Sequence, residues 1–375
     1  MIKPIKMIDL EAEYLLHRKD FEEATQQVFK SGNYIQGPAV KSFEQNLAQY
    51  LQVKHVISCG NGTDALQIAL MALDIKQGDE VIIPAFSYIA VAEVVCLLGA
   101  TPVFVDVDLD YFQLDITLVK QAITDKTKAI IPVHLFGQSA FLEDLLVIAK
   151  EKNIRIIEDC AQAMGGQYHF QNQIKSFGTF GDIGCTSFFP TKNLSCFGDG
   201  GAIFTDNDEL AVKIRMIANH GQKEKYNHHL VGINSRLDTI QAAILNVKLS
   251  HLNHHIENKK KLASRYHDQL KDLKKIGLPE EYANSNHAWH QFTILVKDNL
   301  RNQLKDYLKS QEIDSMIYYP MPLNHQLAYQ NHDIKSENAF ILSKSVLSLP
   351  IHPLLALKDI DYICNHIIDF FNAKS

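Results

Sequence analysis

The sequence predicts an α/β fold with a mostly parallel central sheet and a smaller α/β domain toward the C-terminus. From His55 to Asp206, short β-rich runs alternate with longer amphipathic runs, a layout that is typical of βαβ units. The short runs are largely apolar throughout, as expected for strands buried on both faces. Ligands collect at the carboxyl ends of such strands, so the residues after each strand are the first candidates for function.

The predicted elements follow in order along the chain. Residues 1–50 are expected to be helical around a Gly/Pro break at Ser31 to Val40, SGNYIQGPAV. The predicted strands are HVISC, EVIIP, TPVFVDV, KAIIPVHLFG, RIIED and GAIFTD, and the predicted helices are TDALQIALMAL, YIAVAEVVCLLG, FLEDLLVIAKEKN and residues 209–219. A long helix is predicted after Ser235, and we interpret its basic run, Lys259 to Lys261, as a solvated helix face.

The last part of the chain repeats the alternation on a smaller scale. From about Glu281, the strand-like runs HAWHQFTILV and DSMIYYP alternate with the helix-like runs RNQLKDYLKSQ and DIDYICNHIIDFF. We therefore expect two domains. Residues 1–250 form the large domain with the N-terminal helical segment, and residues 251–375 form the small C-terminal domain.

Composition argues against several classes of protein. The 375 residues carry a formal net charge of −6, which gives no electrostatic reason to expect nucleic acid or an anionic membrane as the partner. The six cysteines lack CxxC pairing and metal-like spacing, so we expect buried thiols in a reducing compartment, the cytoplasm. The N-terminus lacks the apolar core of a signal peptide, and no segment has the length of an apolar membrane span.

The histidines do not indicate a metal site. The 17 histidines include adjacent pairs, and neighbouring residues on a helix or strand do not face one ion, so we expect no metal site.

The stretch Cys185 to Gly201, CTSFFPTKNLSCFGDGG, carries the leading candidate for chemistry, Lys192. Four apolar residues flank this lysine: Phe188, Phe189, Leu194 and Phe197. Apolar surroundings disfavour the ammonium form, and a neutral amine is a nucleophile toward carbonyls. The alternative is a lysine at a strand end whose ammonium reaches water, and this stretch alone does not decide between them.

Two strand ends offer groups for a phosphate. Gly62, Thr63 and Asp64 lie between the strand HVISC and a helix, where backbone N–H groups, a hydroxyl and the helix dipole favour an anion. Ser187 places a second hydroxyl at another strand end. Ordinary helix capping is the alternative at these positions.

Two further strand ends offer groups for an aromatic ring. Asp159 ends the buried strand RIIED, with Gln162 a short turn later, and a buried carboxylate needs a cation or a protonated ring nitrogen. Tyr88 follows the strand EVIIP and is able to cover a flat ring. The alternatives are a helix N-cap for Asp159 and core packing for Tyr88. Together with Lys192, these groups meet the needs of pyridoxal 5′-phosphate (PLP): a lysine, phosphate donors and an acid for the pyridine nitrogen.

The chain resembles the DegT/StrS family of PLP-dependent nucleotide-sugar aminotransferases from about Ile8 to the C-terminal helix. Seven motifs carry the resemblance: SGNYIQGP, NGTDAL, IIPVHLFGQ, IIEDCAQA, SFFPTKNL with GDGG, GINSRLDTIQAA, and YYPMPLNHQ. The resemblance implies the aspartate-aminotransferase-like PLP-dependent transferase fold, fold type I. It also implies transfer of an amino group from L-glutamate to a keto-sugar of a nucleotide-sugar by a ping-pong mechanism.

The resemblance implies roles for the residues around the cofactor ring. Lys192 forms the covalent link to the cofactor aldehyde and moves the proton between cofactor and sugar. Asp159 pairs with the pyridinium nitrogen, Gln162 with the phenolic oxygen, and Tyr88 lies against the ring. Histidine replaces this lysine in relatives that are dehydratases, so Lys192 favours transamination.

The resemblance also implies a shared site at the cofactor phosphate. Four residues of one chain hold the phosphate: Gly62, Thr63, Asp64 and Ser187. Asn234 of the GINSRL motif reaches the phosphate bound by the neighbouring subunit. We therefore expect an obligate homodimer with shared active sites.

The same resemblance narrows the range of candidate substrates. The similar members aminate C3 of a UDP-linked 2-acetamido-3-oxo-glucuronate, and neutral TDP-linked 3-oxo or 4-oxo sugars are the alternatives. The candidate substrate residues are Tyr34, Arg236, Tyr318, Tyr319 and His325. Most of the family has histidine after PL, where Asn324 stands here. A non-catalytic PLP-fold regulator is the alternative of another class, and the presence of Lys192 and Asp159 argues against it.

Overall fold

The computed structural model describes residues 4–139, 141–170, 172–329 and 335–374. Its helices are α1 (Leu10–Leu16), α2 (Arg18–Ser31), α3 (Pro38–Leu51), α4 (Gly62–Ala72), α5 (Ala90–Leu97), α6 (Ile116–Ala122), α7 (Leu142–Lys152), α8 (Asp208–Ala218), α9 (Thr239–Leu270), α10 (Arg301–Ser310), α11 (Glu337–Ser345) and α12 (Leu357–Asn372). Its strands are β1 (His55–Cys59), β2 (Glu80–Pro84), β3 (Thr101–Val105), β4 (Thr127–Ile130), β5 (Arg155–Asp159), β6 (Gln167–Phe170), β7 (Gln173–Ser176), β8 (Ile183–Ser187), β9 (Gly201–Thr205), β10 (Gln222–Glu224), β11 (Asn227–His228), β12 (Ile276–Gly277), β13 (Ser285–Asn286), β14 (Phe292–Val296) and β15 (Val346–Leu349).

The central sheet has seven strands in the order β1-β9-β8-β5-β4-β2-β3. All neighbouring pairs are parallel except those of β9, which is antiparallel to both β1 and β8. Because both neighbours of β9 run opposite to it, β1 runs in the same direction as β8 and the other parallel strands. The carboxyl ends of β1, β2, β5 and β8 therefore share one edge, and the expected mostly parallel sheet is confirmed.

Helices on both faces explain why the strand runs are continuously apolar. In β2, Val81 and Ile83 join a core cluster that includes residues of α4, α5 and α8. Ile82 between them points the other way, into a cluster with residues of α6 and α7. Successive strand residues face opposite sides, so both faces of the strand must be apolar when both are covered.

A second, three-stranded antiparallel sheet in the order β12-β14-β15 lies in the C-terminal part. Its core includes Tyr266 of α9, Phe292 of β14 and Ile363 of α12. The predicted domain boundary after residue 250 falls inside α9, whose first half packs in another core cluster and whose second half packs here. The two-domain division stays a prediction.

Two expectations about single side chains are wrong. Lys259, which was assigned to a solvated helix face, is only 6% exposed, because its side of α9 is covered by other parts of the chain, whereas Lys261 is exposed. Cys96 is exposed, while the other five cysteines are buried, and all six are free thiols.

Two groups of side chains bear on the expected absence of a metal. The ligand atoms of His134, Glu158 and Cys160 lie within 4.8 Å of one another, as do those of a second group, His17, Asp20 and His251. In the first group, three backbone N–H groups and His134 already donate to the carboxylate of Glu158. The expected absence of a metal stays a prediction. Among the described residues, no helix has both the length and the apolar character that crossing a bilayer requires.

Candidate active site

A cavity of about 510 Å³ lies at the edge of the central sheet where β1, β2, β5 and β8 end. Its volume falls in the range of small-molecule sites, about 300–1,000 Å³. Nine of the residues predicted from the sequence line it: Gly62, Thr63, Tyr88, Asp159, Gln162, Ser187, Lys192, Tyr318 and Tyr319. The fold thus brings the predicted lysine, acid, hydroxyls and aromatic rings to one site.

One end of the cavity is built to receive an anion. Helix α4 begins at Gly62, and its first-turn N–H groups have no intrahelical acceptors. A Cβ atom on Gly62 would lie 2.5 Å from the Cβ of Ser187, so only glycine lets the helix start this close to β8. The hydroxyls of Thr63 and Ser187 line the same end. N–H groups, hydroxyls and the helix dipole together favour a phosphate there.

Asp64 is placed differently from the other predicted phosphate residues. Its backbone N–H donates to the side-chain oxygen of Asn61 at 2.8 Å. Its carboxylate accepts a 2.6 Å hydrogen bond from the hydroxyl of Ser235, which in turn accepts from the N–H of Gly60. Asp64 does not line the cavity, and it anchors the segment that carries Asn234.

The carboxylate of Asp159 sits at the carboxyl end of β5 and is 7% exposed. Burial raises the pKa of Asp159, while the N–H of Ala161, which donates at 2.9 Å, and the charge of Lys192 act to lower it. Few charges oppose the cost of burying this carboxylate. It is therefore suited to bind a cationic group in the cavity.

The amine of Lys192 shares the cavity with Asp159. Burial lowers the pKa of Lys192 to about 8, and the nearby Asp159 acts to raise it. An appreciable fraction of the side chain is thus neutral and nucleophilic slightly above neutral pH. Of the two interpretations of the sequence, the structure supports the shielded amine over the solvent-exposed one.

The amide of Gln162 is oriented by two contacts. Its oxygen accepts from the backbone N–H of Phe136 at 2.8 Å, and its nitrogen donates to the hydroxyl of Tyr319 at 3.1 Å. The amide nitrogen therefore faces the cavity as a donor. The ring of Tyr88 lies 6.1 Å from that of Tyr319 and is 55% exposed, which excludes simple core packing for Tyr88.

Besides Asp64, four predicted residues do not line this cavity. Tyr34 is 48% exposed, and Asn234 and His325 are also exposed. Arg236 donates to the side-chain oxygen of Asn219 at 3.2 Å and lines a separate cavity of about 400 Å³. The structure of this chain therefore gives none of the four a contact with the cavity.

Sequence reasoning missed His290 and Gln291, which line the cavity beside Lys192. The Nδ1 atom of His290 and the Oε1 atom of Gln291 are buried, with no hydrogen-bond partner in the part of the chain that the structure describes. Burial lowers the pKa of His290 well below its usual value, so the ring is neutral. The polar pair in the otherwise strand-like run HAWHQF was the available signal.

The residues present fit pyridoxal phosphate. The anion end matches a phosphate, the Asp159 carboxylate matches a protonated ring nitrogen, and the Lys192 amine matches an aldehyde. Two unpartnered buried polar atoms in the cavity wall, on His290 and Gln291, also indicate a site that is completed by a ligand.

Comparison with known proteins gives a consistent result. The chain matches the DegT/DnrJ/EryC1/StrS aminotransferase family over residues 16–368. It is 44% identical to the UDP-2-acetamido-2-deoxy-3-oxo-D-glucuronate aminotransferase of Pseudomonas aeruginosa, over 96% of this chain and 98% of that one. It is 42% identical to a pleiotropic regulatory protein of Geobacillus stearothermophilus, over 98% of each. The solved structure of NtdA from Bacillus subtilis with bound cofactor PMP superimposes with a TM-score of 0.90 at 30% identity, covering 98% of this chain and 85% of that one.

Proposed function

This chain belongs to the DegT/DnrJ/EryC1/StrS aminotransferase family, and on that premise we propose that it transfers the amino group of L-glutamate to C3 of a UDP-linked 3-oxo sugar by a ping-pong mechanism. The expected fold type I, pyridoxal phosphate cofactor and nucleotide-sugar aminotransferase class are confirmed. One observation carries the proposal: the low-pKa amine of Lys192 and the buried carboxylate of Asp159 line the same cavity.

Bound pyridoxal phosphate supplies an aldehyde that condenses with amines and a ring that withdraws electrons while its nitrogen is protonated. Asp159 would keep that proton in place, because a buried carboxylate stabilises a neighbouring cation. The neutral amine of Lys192 would be the nucleophile toward the aldehyde, and its Nζ atom would accept and return a proton. The positions of these two side chains in one cavity support both roles.

The remaining cavity residues bind and orient. The N–H groups of Gly62 and Thr63 and the hydroxyls of Thr63 and Ser187 would hold the phosphate. The amide nitrogen of Gln162 would donate to the phenolic oxygen, and Tyr88 would cover the ring. Asp64 acts indirectly, through its hydrogen bond to Ser235.

A homodimer with shared sites would supply the further hydrogen-bond donors and positive charges that this chain's own cavity wall lacks. The wall carries one amine, Lys192, and two carboxylates, Asp159 and Asp199. The cofactor phosphate, the amino donor and a nucleotide-sugar are all anionic and require further donors. We assign these to Asn234 and Arg236 of the second subunit, which lie outside this chain's cavity on the segment anchored by Asp64.

The preference for a 3-oxo uronate rests on the Pseudomonas aeruginosa relative, which is named for a 3-oxo-glucuronate. Arg236 is the candidate for the sugar carboxylate, since a guanidinium binds a carboxylate through two parallel hydrogen bonds. Tyr318 and Tyr319 line the cavity and are the candidate contacts to the sugar, whereas the candidates Tyr34 and His325 do not line it. The six free cysteines support a cytoplasmic location.

The experiment runs the reaction in reverse on a panel of nucleotide-linked amino sugars, with 2-oxoglutarate as acceptor and glutamate formation as the readout. We expect turnover of a UDP-linked 3-amino uronate and at least tenfold lower kcat/KM for TDP-linked 3-amino and 4-amino sugars. Preference for a neutral TDP-linked or a 4-amino sugar would overturn the proposed substrate. Cofactor binding without turnover of any sugar would instead favour a regulatory role, as the name of the Geobacillus relative suggests.

A further inference from the structure

Lys259 is a buried lysine that lies on α9, behind the reactive lysine. Its side chain is 6% exposed, and its ammonium donates a 2.8 Å hydrogen bond to the side-chain oxygen of Asn193. Asn193 directly follows Lys192. Both Lys259 and Asn193 line a small cavity of about 40 Å³ that Lys192 also borders. Neither Lys259 nor Asn193 lines the 510 Å³ cavity.

The amide nitrogen of Asn193 makes two further hydrogen bonds. It donates to the backbone oxygen of Met164 at 3.1 Å and to that of Ala288 at 3.0 Å. Both N–H donors of the amide are thus used, while the amide oxygen accepts the bond from Lys259. Because an ammonium only donates, Lys259 fixes which end of the Asn193 amide is the acceptor.

The three partners of Asn193 belong to three different segments. Met164 lies in the loop that begins with Asp159 and Gln162. Ala288 lies two residues before His290. A single side chain thus ties the segment of Lys192 to the two other segments that carry the cavity's acid and its unpartnered histidine.

We propose that Lys259 and Asn193 form a positioning pair that holds Lys192 in register with Asp159 and with the segment of His290. Neither residue of the pair contacts cofactor or substrate. The pair acts through the geometry of the three segments, and the proposal rests on the proposed function only in taking Lys192 as the reacting amine.

A purely structural role for Lys259 makes a different prediction. Burial lowers the pKa of Lys259 to about 7, with Glu13 acting to raise it, so this site carries the cost of a desolvated amine. A methionine of similar length removes that cost but leaves the Asn193 oxygen without its donor, so the two effects on stability oppose each other. Lys259→Met therefore separates a small change in stability from a large loss of site geometry.

The test compares Lys259→Met with Lys261→Met, the same substitution two residues away at an exposed position of the same helix. We expect Lys259→Met to change the thermal midpoint of the apo protein by no more than a few degrees, because the relief of desolvation and the loss of the hydrogen bond oppose each other. Its affinity for pyridoxal phosphate and its kcat in the glutamate half-reaction should each fall about tenfold to a hundredfold, with little change in KM for glutamate, because the reacting groups are misplaced rather than removed. Lys261→Met should match the wild type in all these measurements.

A double-mutant cycle tests whether the two residues act as one unit. Asn193→Ala should weaken cofactor affinity at least as much as Lys259→Met, and the double variant should be no worse than Asn193→Ala alone. Additive losses, or wild-type affinity and half-reaction rate in Lys259→Met, would overturn the proposal. Cofactor affinity and the glutamate half-reaction require no sugar, so a failure of the proposed sugar substrate leaves this test intact.

Discussion

The side-chain amide of Gln162 donates a 3.1 Å hydrogen bond to the hydroxyl of Tyr319. The bond joins the loop after β5 to the YYP segment, 157 residues later in the chain. The N–H of Phe136 holds the other end of the amide. The amide nitrogen of Gln162, a donor in the cavity wall, is therefore oriented before any ligand binds.

Tyr319→Phe removes this hydrogen bond and keeps the ring. We expect the free energy of unfolding to fall by about 1 kcal/mol, the net value of one such bond, and kcat/KM for the sugar to fall severalfold because Gln162 is freer to rotate. Tyr318→Phe is the matched control for stability, since Tyr318 is the neighbouring cavity tyrosine and the amide of Gln162 bonds to Tyr319 instead. Equal losses of stability in the two variants would contradict this assignment.

The reactivity of Lys192 should depend on pH with a midpoint near its pKa of about 8. Below the midpoint the ammonium predominates and is not nucleophilic, so the rate rises with pH and levels off above it. The acetylation rate of Lys192 in the apo protein, measured by peptide mass spectrometry across neutral and alkaline pH, checks this. A midpoint near the ordinary lysine value would show that the amine is not shielded.

Asp159→Asn should move that midpoint to lower pH. The carboxylate of Asp159 raises the pKa of Lys192 and opposes the effect of burial, so its removal leaves burial unopposed. Asp199→Asn is the control, because Asp199 lines the same cavity but is not among the groups that shift this amine. A midpoint that rises, or that moves equally in both variants, would contradict the pairing of Asp159 with Lys192.

The sequence could predict a site residue when its position depends on the nearby strand, and could not when it depends on packing by distant parts of the chain. Asp159 and Lys192 were predictable because each stands at or just after the end of a strand, and the parallel sheet brings strand ends to one edge. Lys259 was assigned to solvent because a basic run usually covers a surface, and only the packing around α9 buries it. His290 was missed because the one available signal, the polar pair His290 and Gln291 at the start of a strand-like run, does not by itself show that a cavity lies beside it.

Glu13→Ala should destabilise the protein through Lys248. The ammonium of Lys248 is 4% exposed and lies 2.8 Å from Glu13, with the hydroxyl of Ser195 as its second partner. Losing the carboxylate leaves a buried charge uncompensated, which costs about 3 kcal/mol. Chemical denaturation measures this. Glu11→Ala, at a position 78% exposed, should cost less than about 0.5 kcal/mol, and similar losses in both variants would contradict the account of Lys248.

The proposed sharing of each active site between two subunits predicts complementation between inactive chains. Asn234→Ala should weaken cofactor retention, and Lys192→Ala should abolish turnover. In a mixture of the two, hybrid dimers contain one site with an intact lysine and an intact partner asparagine, so up to about a quarter of the wild-type activity should return, the share of such sites after random exchange. No recovery after confirmed subunit exchange would show that each chain builds its own site.

The covalent link between Lys192 and the cofactor tests the central claim most directly. Reduction of the holoenzyme with borohydride, followed by peptide mass spectrometry, should place the phosphopyridoxyl mass on Lys192. The visible absorption of the bound cofactor should be lost in Lys192→Ala and kept in Lys261→Ala. Label on another lysine, or a Lys192→Ala variant that keeps the absorption band and its turnover, would contradict the account.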